Sequence, residues 1–263
     1  VEYCDGPLLV LAGAGSGKTR VIAAKIAYLV RRKNLTPGKV AAITFTNKAA
    51  REMRERAARL LKGEAADELN VCTFHALGLR FLQIEHAKLG LKRGFSVFDA
   101  DDSAAIVKDL APKAAKSDQL FALRNLLSQA KNAGLDPDQA AAAARSARER
   151  EAADLYAGYQ SRLKAFNAVD FDDLIRLPLA LLERDAETRD TWRERIRYLL
   201  VDEYQDTNDA QYRWLKLITG TRGALTVVGD DDQSIYAWRG ANPGNLDELA
   251  LDYPQLKVIK LEQ

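Results

Sequence analysis

Eight residues near the start of the chain have the types and spacing to hold a polyphosphate. They are Ala12-Gly13-Ala14-Gly15-Ser16-Gly17-Lys18-Thr19, the Walker A pattern with Ala in the first glycine position. Small residues let successive backbone N–H groups close around phosphate oxygens. Lys18 has the reach and charge for β- and γ-phosphates, and Thr19 offers a hydroxyl to Mg²⁺. A second pair, Asp202-Glu203, follows the apolar run Tyr198 to Val201. An Asp at the carboxyl end of a buried strand can hold Mg²⁺, often through water. The adjacent Glu can polarise an attacking water as a general base. A kinase need not carry such a Glu, so the pair favours hydrolysis over transfer.

These groups act together only if the chain brings them together. Leu8-Leu9-Val10-Leu11 predicts a short strand running into the loop. Ile22, Ile26, Leu29 and Val30 predict a helix leaving it, whose N-terminal dipole would face the anion. Val40 to Phe45 reads as a second strand, Asn47 to Leu61 as a second helix, and Val71 to Phe74 as a third strand. Apolar runs of this kind between helices predict a parallel sheet covered on both faces. From about residue 75 to 185, Ala-rich helical patterns replace the strand-like runs, punctuated by Pro112, Gly134 and Pro137. Alternation resumes with strands expected at Tyr198 to Val201, Leu225 to Val228 and Val258 to Leu261. The expected fold is an α/β P-loop core with a parallel sheet, made of 1–74 and 186–263 and interrupted by an all-helical insertion over 75–185.

Composition sets the outer bounds. The 263 residues are 47% hydrophobic and 29% charged, which excludes disorder as the dominant state. Lys and Arg number 39 against 37 Asp and Glu, so a nucleic-acid partner would have to be met by a local stripe. Cys4 and Cys72 form no C-x-x-C pair and share no metal-ligand spacing with His75 or His86. That argues against a disulfide framework or structural zinc and for the reducing cytoplasm. No apolar run approaches the ~18 residues of a membrane span, and no charged n-region with an apolar h-region opens the chain, so a secretory signal is not expected. The first residue is Val, so the natural start is expected to lie upstream.

A third block, Val228-Gly229-Asp230-Asp231-Asp232-Gln233-Ser234-Ile235-Tyr236-Ala237-Trp238-Arg239-Gly240, goes beyond a generic ATPase. Tyr236 and Trp238 lie two apart beside Arg239, and single-strand channels pair aromatic platforms with positive groups. With it, six blocks stand in order: AGAGSGKTR (12–20), ITFTNKAAREMRER (43–56), TFHALG (73–78), DFDDLI (170–175), LLVDEYQDTN (199–208) and VVGDDDQSIYAWRGA (227–241). On these blocks the chain resembles superfamily 1A DNA helicases of the UvrD/PcrA/Rep group, most of all Rep. The likeness covers essentially every residue, including the insertion.

The resemblance implies a RecA-like core, subdomain 1A, and an inserted subdomain 1B, together the N-terminal half of an ATP-dependent helicase. It implies 3′ to 5′ movement along single-stranded DNA, ATP and Mg²⁺ as cofactors, and single strands and single/double-strand junctions as partners. Replication or repair proteins and the C-terminal subdomains 2A and 2B would be further partners. Gly13, Ala14, Gly15, Ser16, Gly17, Lys18, Thr19 and Arg20 would surround the nucleotide, with Thr19 and Asp202 on Mg²⁺. Glu203 and Lys18 would be catalytic, and Gln233 would sense the γ-phosphate and couple it to DNA. Phe45, Thr46, Asn47, Thr73, His75, Phe171, Tyr236, Trp238 and Arg239 would touch DNA. A family glutamine that reads adenine and two arginines match no residue here, so the 263 residues alone are expected to hydrolyse ATP barely and to unwind nothing.

Two other classes fit parts of the pattern: the motor of a recombination helicase–nuclease, and a non-catalytic DNA-binding fragment. Asp170, Asp172 and Asp173 look superficially like a metal cluster, but without a His or fourth ligand they read as packing residues, as do Cys4, Cys72, Trp192 and Trp214. Lys48, Arg51, Arg54 and Arg56 fit either a phosphate-facing stripe or a solvated helix face.

Overall fold

The computed structural model describes residues 1–13, 17–62, 66–230 and 245–261. In chain order the elements begin with β1 (Leu8–Ala12), α1 (Lys18–Arg31), β2 (Val40–Thr44), α2 (Asn47–Leu60), β3 (Asn70–Thr73) and α3 (Phe74–Glu85). There follow β4 (Ser96–Phe98), α4 (Ala100–Leu110), α5 (Ser117–Asn132), α6 (Pro137–Ala143), α7 (Ala147–Ala165), β5 (Ala168–Asp170) and α8 (Asp173–Arg184). The last are α9 (Ala186–Arg195), β6 (Tyr198–Val201), α10 (Asp209–Thr219), β7 (Leu225–Gly229), α11 (Asn245–Asp252) and β8 (Lys257–Leu261). The chain divides into two compact units, Val1–Leu77 with Leu182–Gln263, and Gly78–Leu181.

The first unit is built on a sheet with strand order β3-β2-β6-β7-β1-β8, every described pairing parallel. Continuous apolar strands bury both faces: every residue of β2, β6 and β7 is buried. Ile22, Ile26 and Leu29 of α1 and Met53 and Ala57 of α2 pack into one core with Val10, Ala42 and Leu200. Trp214, Leu215 and Ile218 of α10 are likewise buried, and Trp214 lies 6.4 Å from the Phe74 ring. Because the strands are parallel, all their carboxyl ends lie along one edge, where loops can form a site. The ends of β6, β7 and β1 are consecutive there. Those of β2 and β3 lie on the β6 side, at about 4.8 Å per strand.

The second unit is helical around one core, with Tyr156, Tyr159 and Leu163 of α7 against Val107, Leu123 and Leu127. Three of its helices, α4, α6 and α7, start on capping boxes at Asp99/Asp102, Asp136/Gln139 and Ser146/Glu149. It is not purely helical: β4 and β5 form a parallel pair, Val97 opposite Val169. Three residues per strand leave no period-2 pattern to read in the sequence, so the pair escapes it. Phe74 also moves, from the end of a strand to the first residue of α3, because the Thr73 hydroxyl accepts the Ala76 N–H at 3.2 Å and turns the chain.

Gly78 of α3 sets how closely that helix meets α8. A Cβ there would lie 1.8 Å from the Leu174 carbonyl oxygen, so a side chain needs the backbone to move. Gly78→Ala is therefore expected to destabilise by about 1–3 kcal/mol, read as a lower denaturant midpoint. An unchanged midpoint would show that the helices separate freely. No helix among the described residues is long and apolar enough to cross a membrane.

Candidate functional site

Lys18, Thr19, Asp202 and Glu203 meet at the carboxyl ends of β1, β6 and β7. Gly17 has φ +86, the left-handed region glycine tolerates, and its carbonyl accepts the N–H of Arg20 (2.8 Å) and Val21 (3.1 Å) to start α1. Lys18, the first helical residue, is 8% exposed. Its Nζ donates to Glu203 Oε2 at 3.2 Å and lies 3.7 Å from Asp230 Oδ2. A lysine so placed carries its charge where the helix N-terminus is already positive, a setting that attracts phosphate.

Thr19 donates its hydroxyl to Asp202 Oδ2 at 3.5 Å. Asp202 is 2% exposed, and burial, reinforced by the neighbouring Glu203 charge, pushes its carboxyl up to about 6. The Glu203 N–H at 3.2 Å, Lys18 and Thr19 offset only part of this. One hydroxyl and one buried, under-compensated carboxylate form a hard oxygen pair of the kind that suits Mg²⁺, which takes few protein ligands and completes its shell with phosphate and water. Among the described residues no group of three or more His, Cys, Asp or Glu is arranged to hold a metal by itself.

The shift has a testable sign. A carboxyl with a folded pKa near 6 and an unfolded value of 3.8 makes the folded state bind more protons, so stability falls as pH rises from about 4 to beyond 6. Without nucleotide or divalent cation, Asp202→Asn is expected to be more stable at pH 7.5 by about 1–3 kcal/mol. Equal or lower thermal stability would contradict this.

Glu203 has φ +50, rare for a residue with a side chain. Its carboxylate is about a third exposed and accepts from Gln205 Nε2 at 2.8 Å. Gln205 in turn accepts the Asp230 N–H on its Oε1 at 3.0 Å, bridging the ends of β6 and β7. A Cβ on Gly229 would lie 2.8 Å from that Oε1, so glycine there lets the bridge form. Sequence reasoning singled out neither Gln205 nor Asp230. The available signal was their position, polar residues just past the carboxyl ends of buried strands.

Gly13 is exposed at the end of β1, and Arg20 is exposed on α1. Ala14, Gly15, Ser16, Gln233, Tyr236, Trp238 and Arg239 lie outside the described residues. Of the DNA candidates, Phe45 follows β2 half-buried, its ring edge-on to Phe74 at 5.6 Å. Thr46 and Asn47 are exposed, but the Thr46 hydroxyl accepts the Ala49 N–H at 3.1 Å and so caps α2. Thr73 is buried as the cap of α3, and His75 is half-buried beside it. Phe171, in the second unit, is 57% exposed. Asp170 and Asp173 face cations: Lys131 Nζ lies 2.6 Å and 3.1 Å from them, and Arg176 Nε 3.0 Å from Asp173.

Comparison with known proteins places the chain in a family. Residues 1–254 match the model of the UvrD/REP helicase N-terminal domain. The chain is 53% identical to the ATP-dependent DNA helicase Rep of Escherichia coli K12, over 100% of this chain and 39% of that protein. It is 42% identical to the ATP-dependent DNA helicase PcrA of Bacillus subtilis 168, over 100% of this chain and 36% of that one. It thus spans under half the length of these relatives. A parallel α/β core with Lys18, Thr19, Asp202 and Glu203 at one sheet edge, and a family match over nearly the whole length, establish that the chain belongs to the UvrD/REP helicase N-terminal domain family.

Proposed function

We propose that this chain is the ATP-binding motor portion of a DNA helicase that moves 3′ to 5′ along single-stranded DNA in the cytoplasm. The observation that carries the proposal is the convergence of Lys18, Thr19, Asp202 and Glu203 at adjacent strand ends. Lys18 exchanges its Glu203 contact for β- and γ-phosphate oxygens when ATP enters. Thr19 and Asp202 would hold Mg²⁺, which would supply charge neutralisation on the phosphates. Glu203, released from Lys18 but still held by Gln205, orients and polarises the attacking water. The Gln205 bridge to Asp230 leads into the segment that carries Gln233, the proposed γ-phosphate sensor. Phe45, Asn47, His75, Phe171, Tyr236, Trp238 and Arg239 supply the proposed grip on single strands, by stacking and charge. Thr46 and Thr73, whose hydroxyls also cap α2 and α3, belong to the same proposed grip.

The test is equilibrium binding of a labelled ATP analogue with Mg²⁺. Lys18→Ala is expected to weaken it about 10- to 100-fold, the loss of a charge-assisted phosphate contact. Saturable binding that ignores the substitution, or no binding by the parent chain, would refute the nucleotide site.

A further inference from the structure

We infer that Lys131 is a positioning residue that fixes, from inside the second unit, the turn presenting Phe171 to single-stranded DNA; the inference rests on the reading of Phe171 as a base contact. The turn Asp170-Phe171-Asp172-Asp173 joins β5 to α8. Its side chains are inverted relative to polarity. Asp170 is 5% and Asp173 1% exposed, while the aromatic ring between them is 57% exposed. Apolar burial alone would favour the opposite arrangement. Buried carboxylates persist only with partners, so whatever holds them also holds the ring out.

That partner is Lys131, itself fully buried at 0% exposure. Its Nζ lies 2.6 Å from Asp170 Oδ2 and 3.1 Å from Asp173 Oδ2, joining both ends of the turn. The Tyr159 hydroxyl donates to the same Asp170 oxygen at 2.9 Å, and its ring lies 4.9 Å from Nζ. Asp173 N–H closes the turn onto Asp170 Oδ1 at 2.8 Å, and Arg176 holds the other Asp173 oxygen. The next residue of α5, Asn132, donates to Asp172 Oδ1 at 3.0 Å. Two successive residues of one helix thus engage all three carboxylates of the turn. Lys131 is the cation that bridges its ends. A stacking platform held this way is placed before DNA arrives and avoids an ordering cost on binding.

The test is a double-mutant cycle on affinity for labelled oligothymidine in the full-length protein, with ATP-analogue affinity measured alongside. Lys131→Met leaves the buried Asp170 without its cation, so the charge-balanced Lys131→Met/Asp170→Asn, which leaves the Asp173–Arg176 pair, is the second background. Phe171→Ala is expected to weaken DNA binding about 5- to 150-fold, the range for one stacked base. The balanced variant is expected to lose a comparable factor, with no more than about a further twofold when Phe171→Ala is added. ATP-analogue affinity should not move in any of them. Factors that multiply, wild-type DNA affinity in the balanced variant, or a parallel loss of nucleotide affinity would overturn the role of Lys131 while leaving Phe171 as a contact. Phe171→Ala without effect would remove the contact, and the role with it.

Discussion

Glu203→Gln in the full-length protein is expected to bind ATP as the parent does and to hydrolyse it about 10²–10⁴-fold more slowly. The amide keeps the size of the side chain and can still meet Gln205, so the site should keep its shape. What it loses is the negative charge that draws a proton from water. The backbone at φ +50 aims this side chain, and such strain persists where surrounding contacts over-determine it. Lys18 on one side and the Gln205–Asp230 bridge on the other are those contacts. Loss of binding with loss of turnover would make Glu203 a structural partner of Lys18. An unchanged turnover would move the general base elsewhere.

Lys131→Met is expected to destabilise the chain by about 3–5 kcal/mol, the range for breaking a buried ion pair on one side. Burial alone would raise the Asp173 carboxyl, but Lys131 and Arg176 together hold it below its ordinary value. That contribution is present above the unfolded value of 3.8 and is lost as pH falls through the lower folded one. The variant should therefore lose most stability at neutral pH and less in acid, where the Asp173 carboxyl takes up its proton and the contribution of Lys131 to it is lost anyway. Adding Asp170→Asn should return part of the loss by removing one uncompensated charge. Denaturant unfolding of the three proteins at pH 7 and pH 4 reads both effects. A loss of under about 1 kcal/mol at pH 7 would mean that the carboxylates find another partner.

What the sequence made legible follows sequence distance. Lys18 and Thr19 were readable because the loop motif, the strand before it and the helix after it are contiguous. β6 falls on Tyr198–Val201, as expected, because a buried parallel strand is an unbroken apolar run. Lys131 was not readable. Its partners lie 39 and 42 positions away, and a lysine on a helix reads as solvated until the fold buries it. Gln205 was quoted inside a motif, yet its role depends on Asp230, which only the pairing of β6 with β7 brings beside it. The hydroxyls of Thr46 and Thr73, residues of the proposed DNA contact, also cap helices, a local bond that the sequence left unread.

Steady-state ATP hydrolysis by the full-length protein, with and without a single-stranded oligonucleotide, tests the central claim most directly. The nucleotide site at the ends of β1, β6 and β7 is proposed to drive movement on DNA, so hydrolysis should be slow alone and rise severalfold with the single strand. A rate indifferent to DNA, or no hydrolysis in either condition, would contradict it.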